Sequence, residues 1–158
     1  MQIFIKELIS LGLILMISSC GFQLRGDIQA NFDSISISGG TSSFNKTLQR
    51  KFRQAGIAIK SASEAEKIVE IIKNTFTKTI LTLTGTGAVS EYQLDYIVTY
   101  RFKSKDGPWN LPVTIEASRN YTYDDSDILA KDEEEKRLLS GMEDQLIRTM
   151  AIQISLSK

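Results

Sequence analysis

One cysteine, Cys20, stands at the seam between an apolar leader and a polar chain. Residues 8–17 are apolar apart from Ser10 and Gly12; Ser18 and Ser19 precede the thiol and Gly21 follows it. A charged start with Lys6, an apolar run, small residues and then a thiol able to carry lipid is the pattern of a bacterial lipoprotein signal. The run is shorter than the roughly 20 residues a spanning helix needs. Residues 1–19 are therefore expected to be a lipoprotein signal peptide and are set aside from the fold. Two blander readings exist. A buried structural thiol belongs inside a domain, not at such a seam, and an ordinary secretory site prefers an A-x-A-like pattern that Ile17, Ser18 and Ser19 lack. Ile17 stands where such signals prefer Leu. With Cys20 committed to lipid, the expected modification is a covalent N-acyl and S-diacylglycerol group of the palmitate type, and no intramolecular disulfide can form.

The other chemistry is mostly excluded. The chain has no histidine, which removes the commonest general base and the commonest transition-metal ligand. Ser-His-Asp and Cys-His catalysis and Cys/His zinc sites fall with it. Neither a P-loop nor a G-x-G-x-x-G pattern occurs; Gly85 and Gly87 form a lone G-x-G that fits a strand turn. Glu91 and Asp95 lie two strand steps apart and with Glu116 do not suggest a catalytic carboxylate pair. The acidic run 132–135 fits a solvated first helical turn better than a calcium or partner surface. Lys+Arg 19 balances Asp+Glu 19, which argues against a general nucleic-acid binder. No enzyme activity and no cofactor are expected.

The elements that must carry any surface chemistry follow from periodicity. Residues 20–31 read as a lipidated arm and 32–158 as a single domain. Ile35 and Ile37 alternate with Ser34, Ser36 and Ser38, a half-buried strand ended by Gly39 and Gly40. Thr41, Ser42 or Ser43 can cap a helix in which Phe44, Leu48, Phe52 and Ala55 share a face, and Gly56 suits its C-terminal end. Ile57 and Ile59 make a short strand or a connector. Residues 62–73 are ambiguous between helix and buried strand, but the β-branched threonines beyond favour one long strand over 67–84. A turn at 85–87 leads to the clearest strand: Tyr92, Leu94, Tyr96, Val98, Tyr100 and Phe102 point one way, and polar residues, with Ile97 the exception, the other. Tyr92, Tyr96 and Tyr100 are expected in the core. A turn over 105–108 precedes a further strand with Val113, Ile115, Ala117, Tyr121 and Tyr123, its apolar face interrupted by Arg119. Asp124, Asp125, Ser126 or Asp127 can cap a last helix with a stripe of Leu139, Met142, Leu146, Met150 and Ile154. The fold class is α+β, β-α-β-β-β-α: a four-stranded mixed sheet with the first two strands parallel and two helices on one face. The opposite face, mostly threonines and charges, meets water or a partner.

These pieces together resemble the LptE family of outer-membrane lipopolysaccharide-assembly lipoproteins. The resemblance rests on Cys20 followed by Gly21-Phe22-Gln23-Leu24-Arg25-Gly26, on Glu91-Tyr92-Gln93, and on Arg119 with Tyr121 and Tyr123. Ile128-Leu129-Ala130-Lys131 before the acidic run and Gln145-Leu146-Ile147-Arg148 complete it, in the same element order over the whole mature chain. It implies a non-enzymatic protein of Gram-negative cells, anchored through Cys20 in the inner leaflet of the outer membrane. Such a protein plugs and helps assemble the β-barrel LptD and helps deliver lipopolysaccharide. Gly21 rather than Asp after the cysteine agrees with outer-membrane sorting. Lys131 aligns with a family lysine implicated in lipopolysaccharide binding, where an ammonium pairs with lipid A phosphate; otherwise it is a surface lysine paired with Asp132 or Glu135. A second basic position of the family, in the central hairpin, has no counterpart in 85–87. Arg25 sits near the lipid, where it can touch anionic head groups or be simply exposed. Two other functions are weighed: a free-standing binding lipoprotein for an amphiphile or cell-wall component, which needs a large apolar pocket, and a lipid-anchored hydrolase working with carboxylates alone.

Overall fold

The computed structural model describes residues 28 and 30–156; Cys20, the leader and most of the arm lie outside the described residues. Strand β1 (Ser34–Gly39) leads into helix α1 (Ser42–Gln54), and a two-residue strand β2 (Ala58–Ile59) follows. Strands β3 (Lys67–Leu83), β4 (Val89–Ser104) and β5 (Val113–Thr122) come next, then a single 3₁₀ turn (Asp125–Asp127) and helix α2 (Ile128–Leu156). The α+β class holds, with one correction: the sheet has five strands, ordered β2-β1-β3-β4-β5. The extra strand is the 57–59 connector. Ser34 pairs with Ala58 and Ile35 with Ile59 in parallel, and two paired residues are too few to carry a periodicity.

Local chemistry explains the boundaries. Thr41 has extended backbone and accepts from the Phe44 N–H, capping α1. At the other end Gly56, with φ +82°, gives its N–H to Arg53 O, and Ile57 gives its own to Phe52 O. This paired closure satisfies two orphan carbonyls, and both Ile57 and Phe52 are buried. Gly39 also has positive φ, and a Cβ there would lie 2.2 Å from Ile71 O, so the β1–α1 corner admits only glycine. Asp124 caps the 3₁₀ turn through the Ser126 N–H rather than capping α2 itself.

The core lies between one sheet face and both helices. Phe44, Leu48 and Phe52 of α1 join Met142, Leu146, Ile147, Met150, Ala151 and Ile154 of α2 over Val69, Ile71, Leu94, Val98, Tyr100, Ile115 and Ala117. Tyr96 and Tyr100 are buried as expected, whereas Tyr92 is only partly covered and packs on the core's edge. The buried residues of α2 begin at Met142, so its first half reaches beyond the main core. The hairpin overreaches too. β1 pairs with β3 only over Lys67–Ile71, whereas β3 and β4 stay paired as far as Leu83 and Val89.

Candidate functional site

Lys131 occupies the first turns of α2, close to the end of β5. Its Nζ donates to Glu134 Oε2 at 2.9 Å and to Thr122 Oγ1 at 3.4 Å. The partner is thus Glu134, three residues on, and not Asp132 or Glu135. Helix geometry brings both i+3 and i+4 alongside Lys131, and Glu135 at i+4 is held by Lys78, which leaves Glu134. Such a pair contributes only about 0.2–0.5 kcal/mol. An incoming anion of higher charge density can take Lys131 from it.

Glu135 is engaged elsewhere, by a cluster that sequence reasoning did not find. Lys78 of β3 donates to Glu135 Oε2 at 2.6 Å, and the Tyr121 hydroxyl donates to the same oxygen at 2.6 Å. The ammonium lies 4.1 Å from the Tyr92 ring centroid, with Tyr121 at 5.6 Å and Tyr123 at 5.9 Å. Tyr92 stacks on Tyr121 and meets Tyr123 edge-on. Lys78 is therefore held over one aromatic face and among three rings, the arrangement in which a cation is attracted by the ring quadrupole. Burial alone would lower the Lys78 pKa, but the hydrogen bonds and charge of Glu135 and Tyr121 outweigh it and raise it. Burial likewise works to raise the Glu135 pKa, and the Lys78 and Tyr121 contacts overcome it and lower it. The acidic run is thus not uniformly solvated: Glu133 and Lys136 form an exposed pair, while Glu135 turns inward.

A faint signal for Lys78 existed. Past the irregularity between Ile71 and Lys73, Asn74, Phe76, Lys78 and Ile80 stand opposite Val98, Tyr96, Leu94 and Tyr92. A lysine in phase with the core residues must find a partner. Arg119, also on the core-facing side of its strand, finds one: its Nη2 donates to Gln145 Oε1 of α2 at 2.6 Å. Two stretches that carried the family resemblance therefore touch. Asn74 ties α1 to β3, accepting from the Thr41 N–H at 2.8 Å and donating to Thr41 Oγ1 at 2.9 Å.

Little in these groups suits catalysis. On the outer sheet face Thr77, Gln93, Asp95, Ile97, Glu116, Ala117 and Ser118 line a concavity of ≈ 430 Å³ of mixed polar and apolar character. Among the described residues no group of three or more acidic side chains converges to hold a metal, and no helix is long and apolar enough to cross a membrane. The hairpin is different in character, for Ile80, Leu81 and Leu83 of β3 are exposed near its tip.

Residues 32–154 match the LptE lipopolysaccharide-assembly family. No curated protein gave a significant match. Among solved structures, an uncharacterized lipoprotein B from Nitrosomonas europaea is 26% identical, with 85% of this chain and 90% of that one covered and a TM-score of 0.70. The rare lipoprotein B of Shewanella oneidensis is 25% identical over 76% of this chain and 95% of that one, with a TM-score of 0.61. A minor lipoprotein from Acinetobacter baumannii, 21% identical over 80% and 93%, has a TM-score of 0.62 and shares the fold.

Proposed function

The chain belongs to the LptE lipopolysaccharide-assembly family, and from that premise we propose that it is the lipid-anchored plug of the LptD barrel in the outer membrane. In this role Cys20 carries the lipid and holds the domain to the inner leaflet. The folded part supports barrel assembly and lipopolysaccharide delivery, with no catalytic step. The single observation that carries the proposal is the family match, which spans nearly all of the described domain.

Two structural features support it. Exposed Ile80, Leu81 and Leu83 on a long hairpin are expensive to leave in water and suit a surface meant to be covered by a partner. Lys131, held by an i,i+3 pair and a long hydrogen bond to Thr122, has a positive charge that a lipid A phosphate can claim, whereas Lys78 is already neutralised by Glu135. Lys131 is thus the lipopolysaccharide contact in this proposal and Lys78 a structural residue.

The test is co-purification of the full chain from gently solubilised outer membranes. A large β-barrel protein should come with it in stoichiometric amount. Recovery of the chain alone, under conditions that keep other barrel complexes whole, sinks the proposal and favours a free-standing binding lipoprotein. In the same preparations Lys131→Glu should reduce lipopolysaccharide crosslinked to the chain without reducing the barrel recovered.

A further inference from the structure

The end of the molecule opposite the hairpin tip is where the chain enters the fold. The Asp33 N–H donates to Glu66 Oε2 at 3.0 Å, and the Glu66 N–H donates to Ser34 Oγ at 3.1 Å. The Glu66 carbonyl in turn accepts the Lys105 N–H at 2.9 Å. One residue thus joins the entering chain to the loop between β4 and β5, residues 105–112. At the same end Asn31 Nδ2 donates to Ser155 O near the close of α2.

That loop has an unusual composition for a solvent turn. Trp109, the chain's one tryptophan, is 38% exposed, and Leu111 is 86% exposed. Pro108 and Pro112 flank them. The loop is preformed: Gly107 N–H donates to Ser104 O, Asn110 N–H donates to Phe102 O, and Asn110 Oδ1 accepts the Phe102 N–H. Trp109 lies with Arg101 Cζ 4.6 Å and Lys103 Nζ 5.6 Å from its ring. Arg101 is paired with Glu70, and Asp106 is the opposing carboxylate within the loop. Lys103 and Lys105 are the lysines beside the ring, and Glu66 and Asp33 of the entering segment are further carboxylates at the same end. Tryptophan, an exposed leucine and lysines side by side are the residues that settle at a lipid–water interface, the ring at head-group level and the ammonium groups on anionic lipid.

We propose that residues 105–112 are a membrane-contact element that rests Trp109 and Leu111 on the lipid leaflet to which Cys20 tethers the chain. The proposal rests on lipid attachment at Cys20. Chain length sets which end faces the leaflet. Ile28 already packs against the core, so the free tether is the 8 residue steps from Cys20 to Ile28, which span at most roughly 28 Å when fully extended. The hairpin tip lies a further 16 strand steps along β3, roughly 50 Å from the entry point. The tether therefore holds the 105–112 end to the leaflet, whereas the exposed apolar residues of the tip stand away from it.

The full lipidated chain in vesicles of phosphatidylethanolamine and phosphatidylglycerol tests this, with Trp109 as the probe. Bromine-labelled acyl chains should quench most of its emission, and iodide in the water should quench little. Leu111→Asp, at a position too exposed to matter for folding, should restore emission. Lys103→Glu with Lys105→Glu should do so too, each lysine changing occupancy of the anionic surface by about fivefold. Trp109 quenched by iodide and untouched by bromolipid overturns the proposal while leaving the lipid anchor and the barrel partner standing, since those are read from the mass of the chain and from co-purification. A chain whose mass shows no lipid on Cys20 overturns both.

Discussion

Replacing Lys78 by methionine tests whether the first half of α2 is held down by electrostatics. The Lys78–Glu135 contact is 2.6 Å long with side chains 32% and 23% exposed. A hydrogen bond to a charged group contributes about 1.5–3 kcal/mol; partial exposure screens this one to about 1–1.5 kcal/mol. The ammonium 4.1 Å from the Tyr92 ring adds about 0.5–1 kcal/mol. Lys78→Met should therefore cost about 2 kcal/mol, and a domain of this size should melt about 6–8 °C lower. Glu135→Gln in the same background should recover part of the loss, because the remaining carboxylate would no longer be unpaired beside Tyr121. The pH dependence has a definite sign. The Glu135 folded pKa is depressed, so its contribution is complete above its unfolded value of about 4.3 and is lost as pH falls through the folded value. The Lys78 folded pKa is raised, so its contribution is complete below about 10.4 and is lost only as pH rises through the folded value. Thermal melts of the four proteins of the double-mutant cycle should show a coupling of about 1 kcal/mol at neutral pH that shrinks in strong acid. A coupling indistinguishable from zero at neutral pH, or one that is the same in strong acid, refutes the argument.

Two other substitutions probe different forces. Glu143 sits on α2 beside Tyr96, whose hydroxyl approaches its Oε1 at 3.5 Å. Burial pushes its carboxyl pKa up, the Tyr96 and Thr47 hydrogen bonds offset part of this, and neighbouring Asp144 adds to it. A raised folded pKa contributes stability below the unfolded value that is lost as pH rises, so the ionised form weakens the fold at neutral pH. Glu143→Gln should stabilise by a few tenths to about 1 kcal/mol at neutral pH and by nothing near pH ~4, read from melts across that range. Gly39→Ala should cost about 3 kcal/mol or more by urea unfolding, because the new Cβ meets Ile71 O and the backbone has φ +72°; a loss of less than about 1 kcal/mol would show that the corner can move.

How much was legible depended on how far apart in sequence the cause lay. The alternation from Tyr92 to Phe102, a cap among Thr41, Ser42 and Ser43, the Gly56 closure and the stripe of α2 are set by residues within a few positions of one another and were readable; of the three, Thr41 is the cap. The ambiguous run before Lys73 resolved as strand because Lys67–Ile71 pairs with β1 on one side and β4 on the other. The 57–59 segment was left open between a short strand and a connector, because what makes it the edge strand β2 is two backbone pairings with β1. The Lys78 cluster draws on β3, β4, β5, the segment after β5, and α2, with Glu135 57 positions from Lys78. No local pattern predicts such a meeting; the only hint was a charge in an apolar phase. Lys131 was expected to pair with Asp132 or Glu135 and pairs with Glu134 instead, since Glu135 is held by Lys78.

In the proposed function the two lysines take different roles, and the difference follows from where the elements stop. The main core ends near Met142 on α2, and β1 ends opposite Ile71, yet both the hairpin and α2 continue. Beyond that line the apolar packing of α2 thins to partly buried Leu138 and Leu139. Lys78, Tyr121 and Glu135 add one charged, oriented contact. A cation so used cannot also serve a ligand: releasing it would cost about 2 kcal/mol and loosen the helix that carries Lys131. Lys131, one turn before Glu135, is then positioned by a rigid contact while itself held by a weak one. A binding residue needs both: a fixed backbone and a side chain that gives up its own partner cheaply.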